Sequence, residues 1–387
     1  MEYRRLPKGT EEISVIGFGG SGLHQASERE GTETVLAAIE HGVNYFDMAV
    51  SETAAFKSYR AAFAGRREKV YLQMHFGADY SSGQYGWTTD VQQIRRGMDW
   101  LLRELDTDYI DFGFIHCIDQ TADLDKYIGS GALAHIQKLK ERGVVRHIGL
   151  SSHTPTIVNK LLDMGVPDVV MFSINPAYDY RRGEYAFGRV DEREALYRRC
   201  QAERVGITVM KPFGGGQLLD KRLSPFGQAL TESQCIQYAL DKPGVLNVLP
   251  GIRNMADLHR VLAYLNASPE ERDYSVIGTF APAEAEGRCV YCAHCHPCPK
   301  GLDIALINKY YDLARAGDVL AADHYRKLEL HAGDCVSCGH CDSRCPFHVK
   351  QSSRMAEIAG YFGITAVNLR QDGLFRHMES FTARQLM

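Results

Sequence analysis

The sequence predicts an α/β chain in two parts, an eight-stranded parallel (β/α)8 TIM barrel followed by a cysteine-rich helical domain. Three observations carry this. From residue 13 to about 265, short β-branched or aromatic runs alternate with amphipathic segments at helical spacing. Eight of the eleven cysteines crowd into residues 289 to 345, and only Cys117, Cys200 and Cys235 precede them. Between the two regions, "NASPEERDYS" and "FAPAEAEG" supply the turn-forming and small residues of a boundary. Domains at 1–280 and 281–387 are expected.

The strands read, in order, "ISVIGFG", "VNYFD", "VYLQMH", "YIDFGFIH", "VRHIGLSS", "VVMFSIN", "ITVMK" and "LNVLPG". Helical patterns such as "TETVLAAIEHG", "DVQQIRRGMDWLLREL", "GALAHIQKLKERG", "TIVNKLLDMG", "EREALYRRCQAERVG" and "SQCIQYALDKPG" lie between them, several closing on the Gly that follows a helix end. A doubly wound sheet is the competing architecture. It calls for a GxGxxG loop opening the first helix, and "GFGGSGLHQAS" matches that only weakly.

Composition narrows the function classes. Hydrophobic residues make up 45%, charged residues 24%, and the net charge is −4, which suits a globular protein and argues against nucleic acid as a partner. The N-terminus lacks the apolar core of a signal peptide, and no apolar run approaches the ~18 residues of a membrane span. A cytoplasmic protein is expected, with no membrane partner.

Barrels carry their active sites where strands end. Those ends read Asp47, His75, His116, Ser151 to His153, Asn175, Lys211 and Arg253. So many polar residues capping apolar strands point to a site rather than to packing. His24 and His153 are supporting candidates, and His153 has an alternative use as a cap of the helix that follows it.

The cysteines of the second region fall in two runs. "CVSCGHCDSRCP", from Cys335 to Pro346, reads CxxCxxCxxxCP, the bacterial ferredoxin pattern; "CVYCAHCHPCP", from Cys289 to Pro299, is one residue shorter before its last Cys. Three thiolates at three-residue intervals wrap one face of a cubane, and the Cys before Pro reaches the other cluster. One [4Fe-4S] cluster is then expected on Cys289, Cys292, Cys295 and Cys345, the other on Cys335, Cys338, Cys341 and Cys298. Structural zinc needs only two CxxC pairs and gives no reason for the third Cys or the trailing Pro. The intervening "IALINKYYDLARAGDVLAADHYRKLEL" is helical in pattern, as in an α-helical ferredoxin-like domain, and "RMAEIAGYFG" reads as a final helix.

"GVNYFDMA", "RREKVYL", "LDTDYIDFGFIH", "HIGLSSHT", "INPAYD", "GITVMKPFGGG" and "LPGIRN" together make residues 1 to about 265 resemble an aldo/keto reductase, and the cysteine runs resemble those of a bacterial subset that carries a C-terminal iron-sulfur domain. The resemblance implies reduction of carbonyls with NADPH by an Asp, a Tyr acid, a Lys that tunes the Tyr, and a His that orients the carbonyl. Asp47 and His116 match. The Tyr position is Glu52 and the Lys position is His75. The Ser-Asn pair that holds the nicotinamide amide reads Ser151 and Ser152, and the Gln on the next strand is Met171; Lys211 and Arg253 stand near the cofactor loops. Whether NAD(P) binds is left open.

Asp47, Glu52, His75 and His116 suit acid-base chemistry, and they equally match the ligands favoured by zinc, manganese or ferrous iron. The leading expectation is an iron-sulfur oxidoreductase of an anaerobic or microaerobic cell, acting on a small organic substrate and exchanging electrons with a ferredoxin or other carrier. A non-redox lyase, hydrolase or isomerase with structural clusters, and an electron-transfer subunit with a scaffold barrel, are the alternatives.

Overall fold

In the computed structural model, eight parallel strands close into a barrel: β1 (Phe18–Gly19), β2 (Tyr45–Asp47), β3 (Tyr71–Phe76), β4 (Ile110–Ile115), β5 (Val145–Ser152), β6 (Val169–Ser173), β7 (Gly206–Met210) and β8 (Val245–Leu249). The structure describes residues 1–179, 187–188, 190–274, 289, 295–315, 321–345 and 348–363. Closure comes from parallel bridges Ile16 to Val248 and Gly19 to Gly251. At this seam Gly19 donates its N–H to Pro250 O at 2.9 Å, and a Cβ on Gly19 would stand 2.6 Å from that same oxygen, so the seam excludes a side chain.

The helices between the strands start where the sequence caps them. Ser27 Oγ accepts from Glu30 N ahead of Glu28–Glu40, Asp90 caps Val91–Glu104, and Thr231 with Gln234 forms a capping box on Glu232–Leu240. Strand alternation then sorts the side chains. On β3, Leu72, Met74 and Phe76 pack outward against the helices, whereas Gln73 and His75 face the barrel interior with Tyr45, Phe112 and Phe114.

The first strand differs from the expected one. Glu12–Ser14 pairs antiparallel with Tyr3–Arg5 in a hairpin, and the chain joins the barrel only from the Ile16 bridge onward, through Phe18–Gly19. The hairpin brings Leu6 and Ile13 into the interior cluster with Tyr45, Val169 and Leu246, so it serves as a plug. A second hairpin, Ala78–Asp79 with Gly86–Trp87, follows β3.

Beyond the barrel, the pattern from residue 304 forms two helices, Ile304–Arg315 and Ala321–Arg326, and Gln351–Phe362 forms the last described one. The first two lie over the C-terminal ends of the barrel strands: Lys309 Nζ stands 5.2 Å from the Tyr178 ring, Lys327 Nζ 4.3 Å from the Trp87 ring, and the His324 ring 5.3 Å from that of His153. The boundary expected near 280 lies outside the described residues, as does the tail beyond 363. No helix among the described residues is long and apolar enough to cross a membrane.

Candidate active site at the barrel mouth

Alternation and register bring Asp47, His75 and His116 together. Asp47 on β2 is in register with Gln73 on β3, and His75 is in register with Phe114 on β4, two residues before His116. His75 Nε2 lies 2.6 Å from Asp47 Oδ1, and His75 Nδ1 lies 2.9 Å from His116 Nδ1. Gln73 donates from Nε2 to Asp47 Oδ1 at 3.2 Å, and Tyr45 donates to Gln73 Oε1 at 2.8 Å, which fixes the amide orientation.

The chain of contacts does not end at His116. Its Nε2 lies 2.7 Å from the hydroxyl of Tyr85, a residue that strand reasoning did not single out. Tyr85 sits in the loop of the second hairpin, whose backbone is tied to the 51–53 segment by Tyr85 N to Ser51 O at 2.9 Å and by an antiparallel bridge between Glu52 and Gln84. Trp87 Nε1 donates to His116 O at 3.1 Å and seats the hairpin against β4. All four members of the chain are buried.

A carboxylate accepts only, so His75 Nε2 donates to Asp47 Oδ1; the tautomers that satisfy every contact then have His116 Nδ1–H donating to His75 Nδ1 and Tyr85 donating to His116 Nε2. Burial, then the neighbouring His75 and Lys327, hold His116 well below the usual histidine range, and burial holds the Tyr85 hydroxyl well above the usual phenol range. Tyr85 is thus protonated and His116 neutral near pH 7. Every donor points toward Asp47.

Glu52 is the expected site residue that this chain omits. It is half-buried, and among the described residues no hydrogen bond or ion pair joins its side chain to Asp47, His75 or His116. Its backbone, by pairing with Gln84, instead helps to hold the Tyr85 loop.

A second cluster adjoins the first. Asp119 accepts from Ser152 Oγ at 3.1 Å, from His153 N at 2.6 Å and from His153 Nδ1 at 2.9 Å. Burial pushes the Asp119 carboxyl up, but His153 and His324 outweigh it and hold it far below the usual carboxylate range. Cys117 Sγ stands 3.3 Å from His324 Nε2 of the C-terminal region. Lys309 is buried and Lys327 half-buried here, and the buried Nζ of each has no hydrogen-bond partner among the described residues. Burial pulls the Lys309 ammonium down to about 7 and lowers that of Lys327.

The residues expected to hold a nicotinamide are occupied otherwise. Ser151 Oγ accepts from Cys117 N at 3.2 Å, Ser152 Oγ donates to Asp119, and the Met171 sulfur is 3.2 Å from Gln73 Nε2. Lys211 has a left-handed backbone, φ 55°, and Arg253 is bound to Asp257 at 2.6 Å. Ser151, Ser152 and Met171 offer no side-chain amide, and only the Ser151 hydroxyl, which accepts from Cys117 N, keeps a proton to donate, so these residues fit a nicotinamide amide less fully than the resemblance implied.

The cysteines fit a cluster better. Cys298, Cys335, Cys338 and Cys341 line one small cavity, the set expected from spacing. Cys289, Cys295 and Cys345 are among the described residues, and Cys292 lies outside them.

Residues 15–234 match the Aldo/keto reductase family. The chain belongs to the aldo/keto reductase family. It is an oxidoreductase of that type. It is similar to the "Uncharacterized oxidoreductase YqkF" of Bacillus subtilis, 25% identical over 280 residues that cover 70% of this chain and 84% of that protein. L-galactose dehydrogenase of Arabidopsis thaliana is 28% identical over 183 residues, covering 44% of this chain and 54% of its own length. Among solved structures, the holo form of aldo-keto reductase AKR11C1 from Bacillus halodurans shares the fold with TM-score 0.57 at 23% identity, over 73% of this chain and 96% of that one.

Proposed function

We propose that the chain is an iron-sulfur oxidoreductase that interconverts an alcohol and a carbonyl on a small anionic substrate, with Tyr85, His116, His75 and Asp47 acting as a proton relay. The observation that carries this is the unbroken hydrogen-bonded chain from the Tyr85 hydroxyl to the Asp47 carboxylate at the strand ends of an aldo/keto reductase barrel. Tyr85 supplies from a loop the phenol that the Glu52 position lacks.

In the oxidation direction, the substrate hydroxyl gives its proton to the Tyr85 oxygen as the Tyr85 proton moves to His116 Nε2. The His116 Nδ1 proton passes to His75 Nδ1, and the His75 Nε2 proton passes to Asp47. One proton thus crosses the buried chain with no side chain left charged except as Asp47 is neutralised. Reduction runs the same chain in reverse. Positioned acid-base groups of this kind contribute ~10²–10⁴ in rate.

Oxidation of one alcohol to a carbonyl releases two electrons and two protons. The hydroxyl proton enters the relay, and the hydrogen of the broken C–H bond would leave as a second proton to solvent while its two electrons go to the clusters. Each [4Fe-4S] cluster would accept one when bound, so the two expected clusters match the demand. The cavity lined by Cys298, Cys335, Cys338 and Cys341 supports one of them. A ferredoxin-type carrier would take the electrons onward. Lys309 and Lys327 support an anionic group on the substrate, because a buried ammonium without a partner is costly and an anion removes the cost.

The test uses anaerobically purified holoprotein, hydroxycarboxylic acids against neutral alcohols of the same size, and a one-electron dye as acceptor. The acids should be oxidised, and Lys327→Met should raise KM for the acids with little change in kcat. Oxidation that requires NAD(P) and survives loss of iron would overturn the reading.

A further inference from the structure

We propose that Cys117, His153 and His324 form a catalytic-type site for a divalent metal of the zinc class, at the junction of the barrel and the C-terminal domain. One ligand atom from each of these three and from Asp119 falls within 4.8 Å of the others, and Cys117, His153 and His324 are buried.

The hydrogen bonds sort the four residues into ligands and support. Asp119 spends Oδ1 on Ser152 and His153 N, and Oδ2 on His153 Nδ1. His153 therefore carries its proton on Nδ1, which leaves the Nε2 lone pair for another partner. That atom has no partner among the described residues, although His153 is only 2% exposed. A histidine that donates Nδ1–H to a carboxylate and offers Nε2 to the centre of a Cys/His cluster is the carboxylate–histidine–metal arrangement. The second His, His324, approaches the Cys117 sulfur at 3.3 Å through Nε2. Tetrahedral zinc, with Zn–S about 2.3 Å and Zn–N about 2.0–2.1 Å, places such a pair about 3.6 Å apart.

Sulfur and imidazole donors select zinc over magnesium or calcium. Three protein ligands leave a fourth position open, which is the mark of a catalytic rather than a structural site. Cys117 takes a left-handed backbone, φ 50°, directly after His116, so the metal would stand beside the proton relay. The charges are accommodated: the Cys117 thiolate and the Asp119 carboxylate offset the dication, and an anion in the open position offsets Lys309 and Lys327. That role for the open position rests on the proposed oxidation of an anionic alcohol, where a metal would acidify the substrate hydroxyl. The metal site itself does not rest on it.

Zinc and iron per chain should be measured in anaerobic holoprotein equilibrated with zinc and then freed of excess, for the wild type and for Cys117→Ser, His324→Ala, Asp119→Asn and Cys338→Ser. Wild type should hold a single zinc with one sulfur neighbour at about 2.3 Å and nitrogen or oxygen neighbours at about 2.0–2.1 Å by zinc-edge absorption spectroscopy. Cys117→Ser and His324→Ala should lose the zinc and keep the iron. Asp119→Asn should weaken zinc binding about 10–100-fold. Cys338→Ser should lose iron and keep the zinc, whether or not the alcohol oxidation proves correct. Wild-type protein without zinc, zinc undiminished in both ligand variants, or a zinc ringed by four sulfurs would overturn the site. The wild-type spectrum decides the matter even if a variant fails to fold.

Discussion

Tyr85→Phe removes one oxygen and little else. The ring keeps its edge contacts with Tyr80 at 6.3 Å and His116 at 5.6 Å, so the hairpin stays packed. What is lost is the donor to His116 Nε2, which leaves a buried acceptor unmet at a structural cost of about 1–3 kcal/mol. The kinetic loss is larger. With the entry point of the relay gone, kcat should fall ~10²–10⁴-fold, equivalent to about 2.7–5.4 kcal/mol of barrier. Glu52→Gln provides the contrast, since Glu52 occupies the family Tyr position but no hydrogen bond or ion pair connects its side chain to the relay; its kcat should match wild type. The assay is anaerobic dye-linked turnover of hydroxycarboxylic acids, with iron content equalised between variants. A Tyr85→Phe enzyme at wild-type rate, or a Glu52→Gln enzyme that is the crippled one, would refute the assignment of Tyr85.

Three further outcomes follow from other parts of the molecule. Cys298→Ser and Cys338→Ser should each remove about half of the iron, and the double variant no more than either alone, because both line one cavity; full additivity would show that they serve different clusters. Fully buried Arg193 holds Asp179 at 2.7 Å beneath β6, so Arg193→Met should cost about 3–5 kcal/mol and lower Tm by about 6–20 °C, with partial recovery on adding Asp179→Leu; a shift under 1 °C would contradict this. At the base of the barrel, His147 bonds Glu11 at 2.9 Å and lies 3.6 Å from Asp168. Burial alone would lower His147, but these carboxylates outweigh it and raise its pKa, while Glu11 and Asp168, pushed up by burial, are pulled below the usual range by His147. The raised histidine stabilises fully below its unfolded pKa of about 6.5 and loses this as pH rises through its folded value; the lowered acids stabilise above about 4 and lose this as pH falls. The Tm difference between wild type and His147→Gln should therefore be largest between about pH 4.5 and 6.5 and shrink on either side. A difference that grows steadily to pH 9 would contradict it.

The barrel was legible because eight apolar runs alternate with capped amphipathic helices, and because polar residues at run ends have no packing reason to be there. Asp47, His75 and His116 were singled out on that ground, and the structure joins them through hydrogen bonds. Tyr85 was not, because it lies in a short hairpin whose "SSGQYGW" carries turn residues and no periodicity. Glu52 was chosen by its spacing from Asp47. Spacing counts residues and does not register that the 51–53 segment pairs with a neighbouring loop, whose Tyr85 hydroxyl reaches His116. His324 was equally hidden, since it lies 207 residues from Cys117 and meets it only because the C-terminal helices fold over the barrel mouth. The first strand was read too long because the Glu12–Ser14 run has the same apolar pattern whether it enters the barrel or plugs it. Ser151 and Ser152 were placed at the correct strand end, but their hydroxyl partners, Cys117 N and Asp119, come from the loop that follows the neighbouring strand β4.

The most direct test of the relay coupled to iron-sulfur clusters is a single turnover followed by electron paramagnetic resonance. Holoprotein with oxidised clusters is mixed anaerobically with a hydroxycarboxylic acid and frozen at intervals, without nicotinamide. Wild-type clusters should become reduced, and in Tyr85→Phe the same reduction should be slower by about two orders of magnitude or more. Clusters that stay oxidised here while a parallel sample given NAD(P) reduces it, or equal rates in the two proteins, would contradict it.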